Sequence, residues 1–156
     1  MKGILNIPEK KLSKKEYRDW IVELENSILA MEESMDRFEI IRNGFELRES
    51  FTPGIYMRSL TMPADQIVFS RVHNQEHPFV ITKGLVSVYD GEDVNTFQGP
   101  HHGVTPKGTK RVLVTHEETT WVTYHPISQE YDDDQDMAEI VTCKTFEEFD
   151  KLEHIE

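Results

Sequence analysis

Residues 70–91 read SRVHNQEHPFVITKGLVSVYDG. Two runs in this stretch, 78–82 and 85–89, are rich in Val, Ile, Phe and Tyr and carry the alternation of half-buried strands. Lys83-Gly84 separates them, and Asp90-Gly91 supplies the hairpin signal that closes the second. His73 and His77 stand four residues apart across a short connection into the first run. The stretch is therefore a strand, a tight crossing, and two more strands, with two imidazoles at the crossing.

The same texture extends in both directions. Further strands are expected at 55–61, 66–73, 94–98, 110–115 and 119–125. Pro53-Gly54, Pro63, Gly99-Pro100 and Pro106-Lys107-Gly108 break them. Short strands at regular intervals with Gly and Pro turns predict a mainly β sandwich or barrel over 50–127. Before it, residues 1–12 read as an extended lead-in and 13–38 as one amphipathic helix. Ser13 and Glu16 form a capping box. Tyr17, Trp20, Ile21, Leu24, Ile28, Met31 and Met35 then recur at helical spacing, and the expected partner of this stripe is the chain's own β domain. After it, 128–156 reads as an acidic loop followed by a short C-terminal helix capped by Thr145 and Glu148.

The chain has 156 residues, a length that fits one domain. Its net charge of −12 opposes the electrostatic term that nucleic-acid binding needs, so no nucleic-acid partner is expected. The single cysteine, Cys143, excludes an internal disulfide. No apolar run is long enough to span a bilayer, and the N-terminal apolar run is too short for a signal peptide. These features predict a cytoplasmic chain with no membrane partner.

The 70–91 stretch resembles the first motif of the cupin superfamily, G-x5-H-x-H-x(3,4)-E-x6-G. Counting back from Gly84, His77 stands at the family's glutamate, His73 at its second histidine and Arg71 at its first. The second cupin motif, G-x5-P-x-G-x2-H-x3-N, is matched by Gly99 and by Pro106-Lys107-Gly108, with one residue more between them. Arg111 stands where the family has its metal-binding histidine. The resemblance covers 54–127 and implies a single cupin-type β-barrel, or jelly roll. The segments HNQEH (73–77), PKGTKR (106–111), HEETTW (116–121) and Tyr124-His125 also resemble small cupin-like proteins of tailed phages. That second resemblance implies a viral protein, located in the host cytoplasm or in the virion.

Strand parity indicates which side chains can meet. Ile67, Phe69, Arg71 and His73 share one face; His77, Phe79 and Ile81 share another. Arg111, Leu113 and Thr115 form a third set, and Trp121, Thr123 and His125 a fourth. If these faces point inward, Arg71, His73, His77, Arg111 and His125 line one barrel mouth, a common place for a ligand site.

Two chemistries are open there. His73, His77 and His125 could hold a divalent transition metal such as zinc, iron, nickel or manganese. Arg71 and Arg111 cannot ligate a cation, and with the imidazoles they could instead grip a small anion. His101, His102 and His116 are expected at loop edges or on the surface, and Trp121 in the core. No catalytic acid or base is identified. The competing role is a non-enzymatic virion accessory built on the same barrel, bound to other virion proteins. A homo-oligomer, a dimer above all, is expected, with a second subunit as the alternative partner of the 13–38 stripe.

Overall fold

The computed structural model describes residues 5–31, 44–128 and 137–155. Helix α1 is Lys14–Met31. The strands are β1 (Glu46–Thr52), β2 (Ile55–Met62), β3 (Ile67–Phe69), β4 (Val72–His73), β5 (His77–Lys83) and β6 (Leu85–Tyr89). They continue as β7 (Val94–Gln98), β8 (His101–Thr105), β9 (Val112–Thr115) and β10 (Thr119–Pro126). Helix α2 (Met137–Val141), the short β11 (Thr142–Cys143) and helix α3 (Phe146–Ile155) complete the chain.

Strand pairing defines the fold. The antiparallel partners are β2 with β10, β3 with β9, β5 with β8, and β6 with β7. That nested order is one long hairpin rolled on itself, the pairing of a jelly roll. Rolling produces two main sheets, β1-β2-β10-β5-β8 and β3-β9-β6-β7, beside the short pair β4-β11. The two main ones are separate hydrogen-bonded sheets, with a core shared between their facing sides. Met62, Phe79, Ile81 and Trp121 from the first sheet pack with Val86, Val88 and Leu113 from the second.

Three strands lie where the sequence reading had none: β1, β8 and the two-residue β11. Every residue of β1 is exposed, so its alternation carries no burial signal. β8 contains His101, His102 and Gly103, poor strand formers that are held by the ladder to β5. Gly103 is required there, because a Cβ would lie 2.9 Å from the Phe79 ring.

Helix α1 begins as its capping box predicts. The Glu16 amide donates to Ser13 Oγ at 3.1 Å, and the Ser13 amide donates to Glu16 Oε2 at 3.1 Å. Its stripe packs on the outer face of the second sheet: Tyr17 and Ile21 are buried with Tyr89, Val112 and Val114, and Trp20, Leu24 and Ile28 pack against them. The residues of the expected helix beyond Met31, including Met35, lie outside the described residues, as does most of the acidic loop.

Polar contacts fix the helix further. The Tyr17 hydroxyl donates to the Lys110 carbonyl. The buried Lys110 ammonium reaches Glu25 at 2.7 Å and the Ser70 carbonyl at 2.8 Å. Arg18 forms a two-pronged pair with Asp150 of α3, at 2.7 and 3.0 Å. Among the described residues no helix is long and apolar enough to cross a membrane.

Candidate functional site

The inward face of the first sheet is a set of cross-strand rows. Tyr56 pairs with His125, and His77 with Thr105. In the next row Arg58 pairs with Thr123, Thr123 with Phe79, and Phe79 with Gly103. Leu60 pairs with Trp121 in the row beyond. Since neighbouring residues on facing strands stand within side-chain contact, each row forms one continuous surface.

The first row brings the histidines together. The His77 and His125 rings are 4.3 Å apart between centroids, and the His77 and His73 rings 4.6 Å. Tyr56 stacks on His125 at 5.6 Å, and Phe51 on Tyr56 at 5.3 Å. The contacts thus run as a column, from Phe51 on the edge strand to His73 at the wall of the central cavity. All three histidines are buried.

Burial keeps these imidazoles neutral. His73 is pushed down to about 2, chiefly by burial and then by the neighbouring His77 and Arg111. His125 is pushed down to about 3, by burial and then by His77 and Arg58. His77 is lowered by burial, opposed by its hydrogen bond to the Gln75 carbonyl. That bond, 3.1 Å from Nδ1, requires the proton on Nδ1 and leaves Nε2 with a lone pair. His77 Nε2, His73 Nδ1 and His125 Nδ1 are buried without a hydrogen-bond partner.

Arg111 enters from the second sheet. It precedes β9, with its backbone amide fixed by Ser70 Oγ at 2.8 Å. Its side chain is buried over two aromatic rings, with the guanidinium carbon 5.1 Å from the Trp121 centroid and 5.6 Å from that of Phe79. Nη2 donates to Thr105 Oγ1 at 3.0 Å, and the Nε proton has no acceptor. Burial lowers Arg111 to about 10, which still leaves it charged at neutral pH. Among the described residues no carboxylate pairs with it. Among the described residues this buried cation makes contact with ring faces and one hydroxyl, and the Asp90 carboxylate favours its charge without pairing with it.

A cavity of about 330 Å³ opens beside these groups, lined by Arg58, His73, Arg111, Trp121, Leu60 and Met62 among others. Arg58 makes no ion pair among the described residues. The parity reading missed it, although Tyr56, Arg58, Leu60 and Met62 alternate along β2 in the manner of an inward face.

Arg71 also lines this cavity, from its rim. Ile67 and Phe69 pack outward against α1 while His73 points inward, because the chain leaves strand geometry at Ser70-Arg71 and its parity switches. Arg71 ends on the cavity rim, exposed and paired with Glu139 at 3.1 Å. His101 is displaced from its expected loop edge. It lies in β8 with its ring stacked on Phe97 at 4.3 Å.

Several of the solved structures that resemble this chain in fold are described as cupins. A cupin-2 domain protein of Shewanella frigidimarina matches with a TM-score of 0.46 at 16% identity, over 59% of this chain and 90% of its own. A cupin superfamily protein of Desulfitobacterium hafniense matches at 0.48 and 7% identity, over 55% and 80%. KdgF from a Halomonas species matches at 0.48 and 12% identity, over 56% and 84%. No protein-family model matches the chain, and no curated protein matches it. Likenesses this distant lend no substrate or reaction to this chain.

The three gathered imidazoles raise the question of a metal. The unpartnered ring nitrogens of His73, His77 and His125 are the right donors for a transition metal. Their arrangement is not. Among the described residues no three His, Cys, Asp or Glu side chains group as a set that could hold a metal ion. The three rings contact one another in a column, and the nearest charges, Arg111 and Arg58, are both positive. Among the described residues no carboxylate pairs with either arginine. The donor set therefore does not fit a divalent cation.

Proposed function

We propose that this chain binds a small anionic ligand in the cavity beside His73, with Arg111 as the principal anchor. The reading is carried by the buried Arg111 guanidinium, whose Nε proton lacks an acceptor and which has no carboxylate partner among the described residues. A buried charge without an ionic partner is costly, and a bound anion would relieve that cost with charge-assisted hydrogen bonds. Arg58 supports the same polarity from the opposite sheet. Neutral His73 adds a hydrogen-bonding group that leaves the anion's charge to the guanidinium groups.

Thermal denaturation of the purified chain against carboxylates and phosphates tests this, with Arg111→Met in parallel. Saturable stabilisation of the wild type that is absent from the variant is the expected result. A wild type stabilised by no anion would remove the reading. One equivalent of zinc, nickel, iron or manganese, lost on replacing His73, His77 or His125, would put a metal centre in its place.

The resemblance to small cupin-like proteins of tailed phages supports a setting in the infected host cell. A virion accessory is the competing role, and mass spectrometry of purified particles distinguishes the two.

A further inference from the structure

We propose that the anion is a small monocarboxylic acid with an apolar, branched or aromatic body, held with its carboxylate at Arg111 and its body against Trp121 and Met62. This inference rests on the anion-binding reading above and deepens it. The cavity wall changes character along β2. Arg58 shares its row with Thr123, and both lie near His73. The next inward residues, Leu60 and Met62, are apolar, and Leu60 is paired with Trp121. Inward residues on one strand follow each other at about 7 Å, so the polar-to-apolar change occurs within the length of a small organic acid.

The second sheet repeats the gradient. Arg111 is followed on the inward face by Leu113, which is buried with Met62 and Trp121 in the shared core. Trp121 is itself stacked on Phe79 at 4.6 Å, which holds its ring in place as a wall. A hydroxyl-rich ligand such as a sugar phosphate would need hydrogen-bonding partners along its whole body. The far end of this cavity has Leu60, Met62, Val68 and Leu113 instead. Burying hydroxyls there without partners opposes binding, whereas an apolar body gains about 0.8 kcal/mol per buried methylene, close to fourfold in affinity.

Isothermal titration of the full chain tests the inference with 4-methylpentanoate, phenylacetate, acetate, inorganic phosphate and neutral 4-methylpentanamide. The expected result is that the two apolar acids bind at least tenfold more tightly than acetate and phosphate, while the amide does not bind. Acetate or phosphate binding as tightly as the apolar acids would overturn the apolar-body inference and leave anion binding standing. An amide that binds as tightly as its acid would overturn both, as would heats at the level of dilution for every compound.

Discussion

Arg111 and Trp121 come from opposite sheets and meet at 5.1 Å, guanidinium carbon to ring centroid, inside the jelly roll. A charge is thereby carried into the apolar core on the face of an indole. The arrangement is costly for the ligand-free protein. Two ring faces and the Thr105 hydroxyl offset part of the desolvation of a guanidinium and leave its Nε proton without an acceptor.

Arg111→Met should therefore stabilise the ligand-free protein by about 1–2 kcal/mol, since apolar replacement of a buried charge removes its desolvation cost. Anion-induced stabilisation should disappear in the same variant. Urea unfolding with and without ligand measures both. A variant less stable than wild type in the absence of ligand would mean that Arg111 is a structural strut.

Acid should weaken the fold before the carboxylates titrate. The folded values of His73 and His125, about 2 and about 3, lie below the ordinary imidazole value of 6.5. As pH falls through 6.5 the unfolded chain takes up protons that the folded chain refuses, so stability present above that pH is lost below it. Each of the two histidines should remove ~1.5 kcal/mol between pH 6.5 and 5. Urea midpoints across that range measure the slope, and His125→Gln should make it shallower. Equal midpoints at pH 6.5 and 5 would show that the histidines are protonated in the folded state.

Some of this site was legible from alternation alone. His77 and His125 share inward faces with Phe79 and Trp121, and the structure sets the two imidazoles in contact. The faces of 67–73 were not legible, because Ser70-Arg71 departs from strand geometry and parity cannot be counted through such a break. Arg58 went unread for a different reason. An arginine amid Met57, Ser59 and Thr61 looks like the solvent side of a strand, and only the opposing Thr123 and Phe79 show that it faces the cavity. The exposed β1 lacked any pattern that burial could impose. The turn chemistry, by contrast, is local. Gly84 and Gly91 both adopt positive φ, at 108° and 102°, as their turn positions require.

Gly84 is the sharpest of these constraints. Its φ is 108°, and an added Cβ would meet the Thr119 side chain and lie 2.6 Å from the Glu118 carbonyl oxygen. Gly84→Ala combines left-handed backbone strain with a clash against backbone and should cost about 3 kcal/mol. Gly54, at φ 82° with nothing within 4 Å, isolates the first effect. Gly54→Ala should cost about 1 kcal/mol. Equal losses in the two variants would show that the Gly84 turn can move away from β10.

The docking of α1 provides a separate test, because Ile21 has no exposed surface and packs on the outer side of the same strand that carries Leu113 inward. Ile21→Ala removes a fully buried side chain between the helix and Val112 and Val114, and should cost about 2–4 kcal/mol. Val22, next to it and 40% exposed, serves as the control, with a loss within about 0.5 kcal/mol on change to alanine. Because α1 also grips the Lys110 carbonyl through Tyr17, loosening it should reach Arg111, the next residue. Ile21→Ala should therefore weaken anion binding severalfold at temperatures where the variant remains folded, while Val22→Ala leaves it unchanged. An Ile21→Ala protein that loses stability but keeps full anion affinity would show that the helix supports the sheet without positioning the anchor.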